Sequence, residues 1–206
     1  MDNNISPVHL DVLKEIGNIG AGNAATSLSQ LLQKKIDMKV PSVRILSFNE
    51  MIESVGEAES VVVSVFLRLE GDITGNMYVL LTLEQATHFI KHLTSDNEFS
   101  FEQLNGSELS ISALQELSNI LAGSYLRALS DFSQLRLYPS VPELSIDMLG
   151  ASLSHSLIEL SQESDVVIMI DTTINEDVTG DSYNSHFLLM PDPESLRSIF
   201  RALGVE

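Results

Sequence analysis

The chain has 206 residues, 44% of them hydrophobic, with 11 basic and 29 acidic side chains that give a formal net charge of −18. That is ample apolar material for a core, whereas so negative a surface repels nucleic-acid phosphates and anionic lipid headgroups. The absence of cysteine excludes thiolate catalysis and disulfide stapling, and it fits a reducing compartment.

The polar start from Met1 to Pro7 lacks the basic, then apolar pattern of a secretory signal. The apolar run from Val61 to Leu69 is broken by Ser64 and Arg68, and it is far shorter than the roughly 20 residues of a spanning helix. A cytoplasmic protein, not inserted in a membrane, is expected. Ser6-Pro7 supplies an N-cap and a first-turn proline, and Leu13, Ile16, Leu28 and Leu31 recur at helical spacing, which predicts a long amphipathic helix with a buried stripe. An extended segment passes through Pro41. Val61, Val63, Val65, Leu67 and Leu69 then alternate as in a strand, Gly71 to Gly75 forms a turn, and Asn76 to Leu81 returns as a hairpin. Thr82 and Gln85 form a capping box that opens a closing helix.

The same order then recurs. Glu15, Asn18, Gly22 and Pro41 return as Glu116, Asn119, Gly123 and Pro142 at a constant offset of 101 residues. The apolar stripe returns as Leu114, Leu117, Leu129 and Phe132, and a second hairpin is predicted from Val166 to Ile174 and Tyr183 to Met190, with a closing helix to about Leu203. About three strands per copy make too small a face to stand alone, so both copies are expected to share one sheet in a single pseudosymmetric α/β domain. Repeat one covers about 6–94, a polar linker about 95–107, and repeat two about 108–206. One stretch breaks the register: Pro41 to Val61 spans 20 positions and Pro142 to Val166 spans 24, adding about one helical turn around Met148 to Ser161. A longer connection explains this, and so does a partner-docking surface with Leu153, Leu157 and Leu160 as an apolar ridge.

Asp11, Glu15, Asn18 and Gly22 are spaced to share one stripe of the first helix, as are Ser112, Glu116, Asn119 and Gly123 on the second. A single Glu-x-x-Asn is an ordinary solvated helix face. Its return is not, because asparagine is a mediocre helix former and the two glycines each cost about 1 kcal/mol relative to alanine. Both Asn18 and Asn119 are expected on exposed faces, and the glycines suggest close approach by something to those faces.

Asp11-Glu15-Asn18-Pro41 and Ser112-Glu116-Asn119-Pro142 resemble the doubled signature of the CheC-type chemotaxis phosphatases, whose relatives include CheX and the phosphatase region of FliY. The resemblance covers nearly the whole chain. It implies two long helices packed side by side on a shared, mostly antiparallel sheet, and hydrolysis of the aspartyl phosphate of a CheY-like response regulator. It further implies that Asn18 and Asn119 orient the attacking water while Glu15 and Glu116 pair with a lysine of the regulator; Asp11 and Ser112 take supporting positions, Ser112 departing from the usual Asp. No cofactor is implied for this chain, Mg²⁺ being held by the regulator, and a CheD-like receptor deamidase is a further implied partner. An amide suits water positioning because it both donates and accepts hydrogen bonds.

Other signals carry less. Gly17-Asn-Ile-Gly20-Ala-Gly22 lacks the preceding strand of a phosphate loop, and close helix packing explains it better. His88 and His92 lie four apart, but the sequence offers no evident third metal ligand, so a partly exposed helix face is expected there. No nucleophile elbow occurs. The competing function is a non-catalytic adaptor of the chemotaxis or flagellar switch system, against which the intact Glu and Asn of both copies argue.

Overall fold

The structure, a computed structural model, describes residues 6–101, 107–160, 166–176, 180 and 182–205. In repeat one, helix α1 (Pro7–Leu32) leads to strand β1 (Ile36–Leu46), helix α2 (Phe48–Val55), the hairpin β2 (Val61–Gly71) and β3 (Gly75–Thr82), and helix α3 (Leu83–Thr94). Repeat two gives α4 (Glu108–Ser133), β4 (Leu137–Pro139), β5 (Glu143–Met148), α5 (Leu149–Leu160), β6 (Val167–Glu176), β7 (Ser182–Pro191) and α6 (Pro193–Ala202). Among the described residues no helix is long and apolar enough to cross a membrane.

All the strands join one sheet in the order β1-β6-β7-β3-β2-β4, with β5 also paired to β2, and every ladder is antiparallel. The two hairpins meet at β3 and β7 in the centre. Each repeat's first strand is exchanged: β1 pairs with β6 of repeat two, and β4 and β5 pair with β2 of repeat one. The expected shared sheet is therefore a reciprocal swap across a pseudo-twofold axis.

Pro41 and Pro142 have a structural reason for their common offset. The β1–β6 register shifts between Lys39 and Ser42, and the strand opposite β2 breaks between Pro139 and Glu143. Both prolines thus sit in bulges of edge strands, where a residue without an N–H interrupts no ladder.

Alternation along the strands feeds two cores. Val63, Val65 and Leu67 of β2, with Ile168 and Ile170 of β6, face a core built with α1, α3, α4 and α6. Val62, Tyr78, Leu80, Val167, Met169 and Leu188 face a second core closed by Met51 of α2 and Leu149 and Leu153 of α5. The sheet is buried on both faces, and both repeats carry the small covering helix. Helix α5 has 12 residues against 8 in α2, so the extra turn of repeat two lengthens a helix that repeat one also has.

Two expectations need correction. Leu31 and Phe132, placed in the buried stripes, are 37% and 50% exposed, and in the last turns of α1 and α4 the inward positions fall instead to Leu32 and Ser133. Leu153 of the proposed ridge is fully buried and Leu157 packs beside it, so that face seals the second core; the side chain of Leu160 and residue Ser161 lie outside the described residues. The polar linker is anchored by Phe99, which is buried edge-on against Phe101, while residues 102–106 lie outside the described set.

Candidate active site

Helices α1 and α4 pack against each other at Gly20, where an added Cβ would stand 3.0 Å from the Tyr125 Cα. The reading of this glycine as a packing residue holds. With Leu13, Ile16, Gly17 and Gly20 turned inward on α1, the helical repeat sends Asp11 and Glu15 outward, and both are exposed. Leu114, Leu117 and Leu121 likewise turn inward on α4, and Ser112, Glu116 and Asn119 are exposed. Among the described residues neither Glu15 nor Glu116 has an ion-pair partner.

The two asparagines differ. The Asn18 Oδ1 accepts the backbone N–H of Val40 at 3.0 Å, and its Nδ2 donates to the Lys14 carbonyl at 3.1 Å. Val40 lies in the β1 bulge, where it has no partner in the β6 register, so Asn18 satisfies a backbone donor that the ladder leaves over. Asn18 is accordingly half-buried rather than exposed as expected. The Asn119 side chain makes no hydrogen bond among the described residues. Its counterpart bulge is arranged otherwise: Val141 is 82% exposed, and Ser140 donates its N–H to the Arg68 carbonyl and accepts the Arg68 N–H on its hydroxyl. The first Asn stitches helix to strand, and the second is free.

Asn119 also opens onto a groove between the helices that it shares with Gly123, Arg127, Asn23 and Thr26. The position of Arg127 is held in α1 by Thr26, so the groove beside Asn119 carries a cation that the first copy lacks at that position. A Cβ at Gly22 or Gly123 would meet nothing within 4 Å, so among the described residues the chain itself does not approach those faces. Close approach, if it is the reason for these glycines, is made by another molecule.

Two residues escaped the sequence reading. Val8 and Leu109 are 55% and 63% exposed and precede Asp11 and Ser112 by one turn. Each site is thus headed by an apolar side chain, and the signal was available, since both obey the offset of 101 residues. The structure also brings Glu176 of β6 to His88 of α3, supplying the third ligand type that the sequence could not locate.

The CheC-like family matches residues 8–45 and 109–146, the two stretches that hold each helix, its Glu and Asn, and the bulge proline. A protein of Bacillus subtilis (strain 168) named CheY-P phosphatase CheC is 46% identical over 98% of this chain and 97% of its own length. The chain belongs to the CheC-like family. Among solved structures, the FliY of Thermotoga maritima superposes with a TM-score of 0.77 at 19% identity, covering 97% of this chain and 98% of that one. The CheX of the CheX–CheY–BeF3–Mg²⁺ complex from Borrelia burgdorferi gives 0.53 at 16% identity, covering 84% of this chain and 96% of the other. Both likenesses are of fold. The overall fold of this chain is therefore shared by proteins whose sequences have diverged widely.

Proposed function

We propose that this CheC-like protein hydrolyses the aspartyl phosphate of a CheY-like response regulator. The observation that carries the reading is the free, exposed carboxamide of Asn119 one helical turn from the exposed carboxylate of Glu116, repeated in type at Glu15 and Asn18. The relative that is 46% identical is named a CheY-P phosphatase, which supports the same reaction class. Phosphoryl transfer asks little covalent chemistry of a protein; it asks that water be held in line with the leaving oxygen and that charge be balanced. Asn119 holds the water and Glu116 pairs with a lysine of the regulator, whose own carboxylates hold Mg²⁺. Val8 and Leu109 give the regulator an apolar foothold beside each polar pair. Loss of label from a regulator phosphorylated with acetyl phosphate tests this: addition of the protein should accelerate it, and an unchanged rate would sink the assignment.

For a CheD-like deamidase we propose the outer face of α5. This helix exceeds its counterpart by one turn and exposes 66% of Ile158. The partner surface then differs from the inward ridge at Leu153. Ile158→Glu should abolish capture of the deamidase without lowering the melting temperature, and undiminished capture would remove the proposal.

A further inference from the structure

We propose that His88, His92 and Glu176 form a binding site for a divalent transition metal, with Zn²⁺ the best match. His88 and His92 stand one turn apart on α3, with ring centroids 4.3 Å apart, the spacing by which one helix offers two imidazoles to one ion. The third ligand comes from the other repeat: Glu176 ends β6, is 4% exposed, and places Oε2 3.1 Å from the His88 Nε2. One ligand atom from each of the three residues lies within 4.8 Å of the others, so small side-chain rotations bring all three to metal–ligand distances of about 2.0–2.2 Å.

The surrounding hydrogen bonds set up the donors. The His92 Nδ1 lies 3.0 Å from the His88 carbonyl oxygen. A carbonyl can only accept, so Nδ1 carries the proton and Nε2 keeps its lone pair. The His88 Nδ1 lies 2.9 Å from the Tyr183 hydroxyl, which can accept an N–H there and leave Nε2 to a metal in place of the proton it now shares with Glu176. Lys34 pairs with Oε1 of Glu176 and leaves Oε2 for the ion. A carbonyl, a phenol and an ammonium behind the ligands form the outer support that metal-binding histidines and carboxylates ordinarily have. Two nitrogens and one oxygen suit borderline ions rather than Mg²⁺ or Ca²⁺, and three protein ligands leave a fourth position for water. Because α3 belongs to one repeat and β6 to the other, a bound ion would tie the seam between them.

The test uses the full chain freed of metal by a chelator, then titrated with Zn²⁺ by calorimetry and with Co²⁺ by visible absorption. One equivalent should bind, with the visible bands of four- or five-coordinate cobalt and a melting temperature that rises with metal concentration. His92→Ala removes a part-exposed ligand whose hydrogen bond stays within its own helix, so it should keep the native circular dichroism while binding falls by about 100-fold or more. Tyr183→Phe should weaken binding by about tenfold. Failure to bind one equivalent, or binding that persists unchanged in folded His92→Ala, overturns the site and leaves the three residues as a hydrogen-bonded seam only.

Discussion

Asn18 and Asn119 occupy the same helical position in two copies of one motif, yet only Asn18 is committed to its own chain. To orient water it would have to surrender the Val40 bond, at a cost of about 1 kcal/mol, or a factor of about five in rate. Asn119→Ala should therefore remove the larger share of regulator dephosphorylation and leave stability within about 0.5 kcal/mol. Asn18→Ala should lower stability by about 1–2 kcal/mol, because a buried N–H loses its acceptor, and should cost less activity. Phosphate release and thermal melting of the two variants, measured side by side, check both halves of this expectation; equal stability losses would show that the Val40 bond is not a stitch. The pairing of the two asparagines was legible as a constant offset. The bond to Val40 was not, since it depends on where a bulge falls in a strand that only tertiary pairing positions. The same holds for Glu176, 88 residues from His88 and brought to it by the sheet.

At the level of elements, the glycines of α1 divide into two kinds. Gly20 faces the Tyr125 backbone across the helix pair, so Gly20→Ala should overpack the contact and destabilise by about 1–3 kcal/mol. Gly22 and Gly123 face open space, where alanine should stabilise each helix by about 1 kcal/mol. If a regulator approaches these faces, Gly22→Ala and Gly123→Ala raise the melting temperature while slowing dephosphorylation. Calorimetry with the phosphate assay separates the two effects, and unchanged activity would mean that no partner comes within a methyl group of that face. Helix periodicity made α1 and α4 readable from apolar spacing alone, and the capping box at Thr82 located α3. Helix α2 was hidden because 8 residues hold barely two turns of pattern, and its role as a lid on the second core shows only when β2 proves to be buried on both faces.

On the scale of the whole molecule, Asp171 of β6 is a clamp. It accepts hydrogen bonds from Ser42 and Arg44 of β1 and from His186 of β7, while Arg44 also reaches Ser54 of α2. Burial opposes its ionisation, but the bonds from His186, Ser42 and Arg44 outweigh burial and hold its pKa at about 2, against an ordinary 3.8. A depressed carboxylate pKa stabilises the fold above the unfolded value, so this contribution is complete above about pH 4, shrinks on acidification and is gone below about pH 2. Asp171→Asn should cost about 2 kcal/mol at neutral pH, and its denaturation midpoint should converge on that of the parent as pH falls through that window. A gap that persists at pH 2 would refute the clamp. The clamp secures the strand exchange, whose partner choice no local pattern could announce, although the need for one shared sheet was readable from the small number of strands per copy. That exchange also sets a timetable. Strand β1 is made early, but Ile36 pairs with Glu176, so the first strand waits through 140 residues of synthesis for its neighbour. The β2–β3 and β6–β7 hairpins can each close from local sequence in the nascent chain, whereas the exchanged strands must wait for a distant partner, and the long loops that remain slow the final step. The N-terminal strand, bearing an unpaired edge until the last hairpin emerges, is the part of this protein most dependent on protection while it is being made.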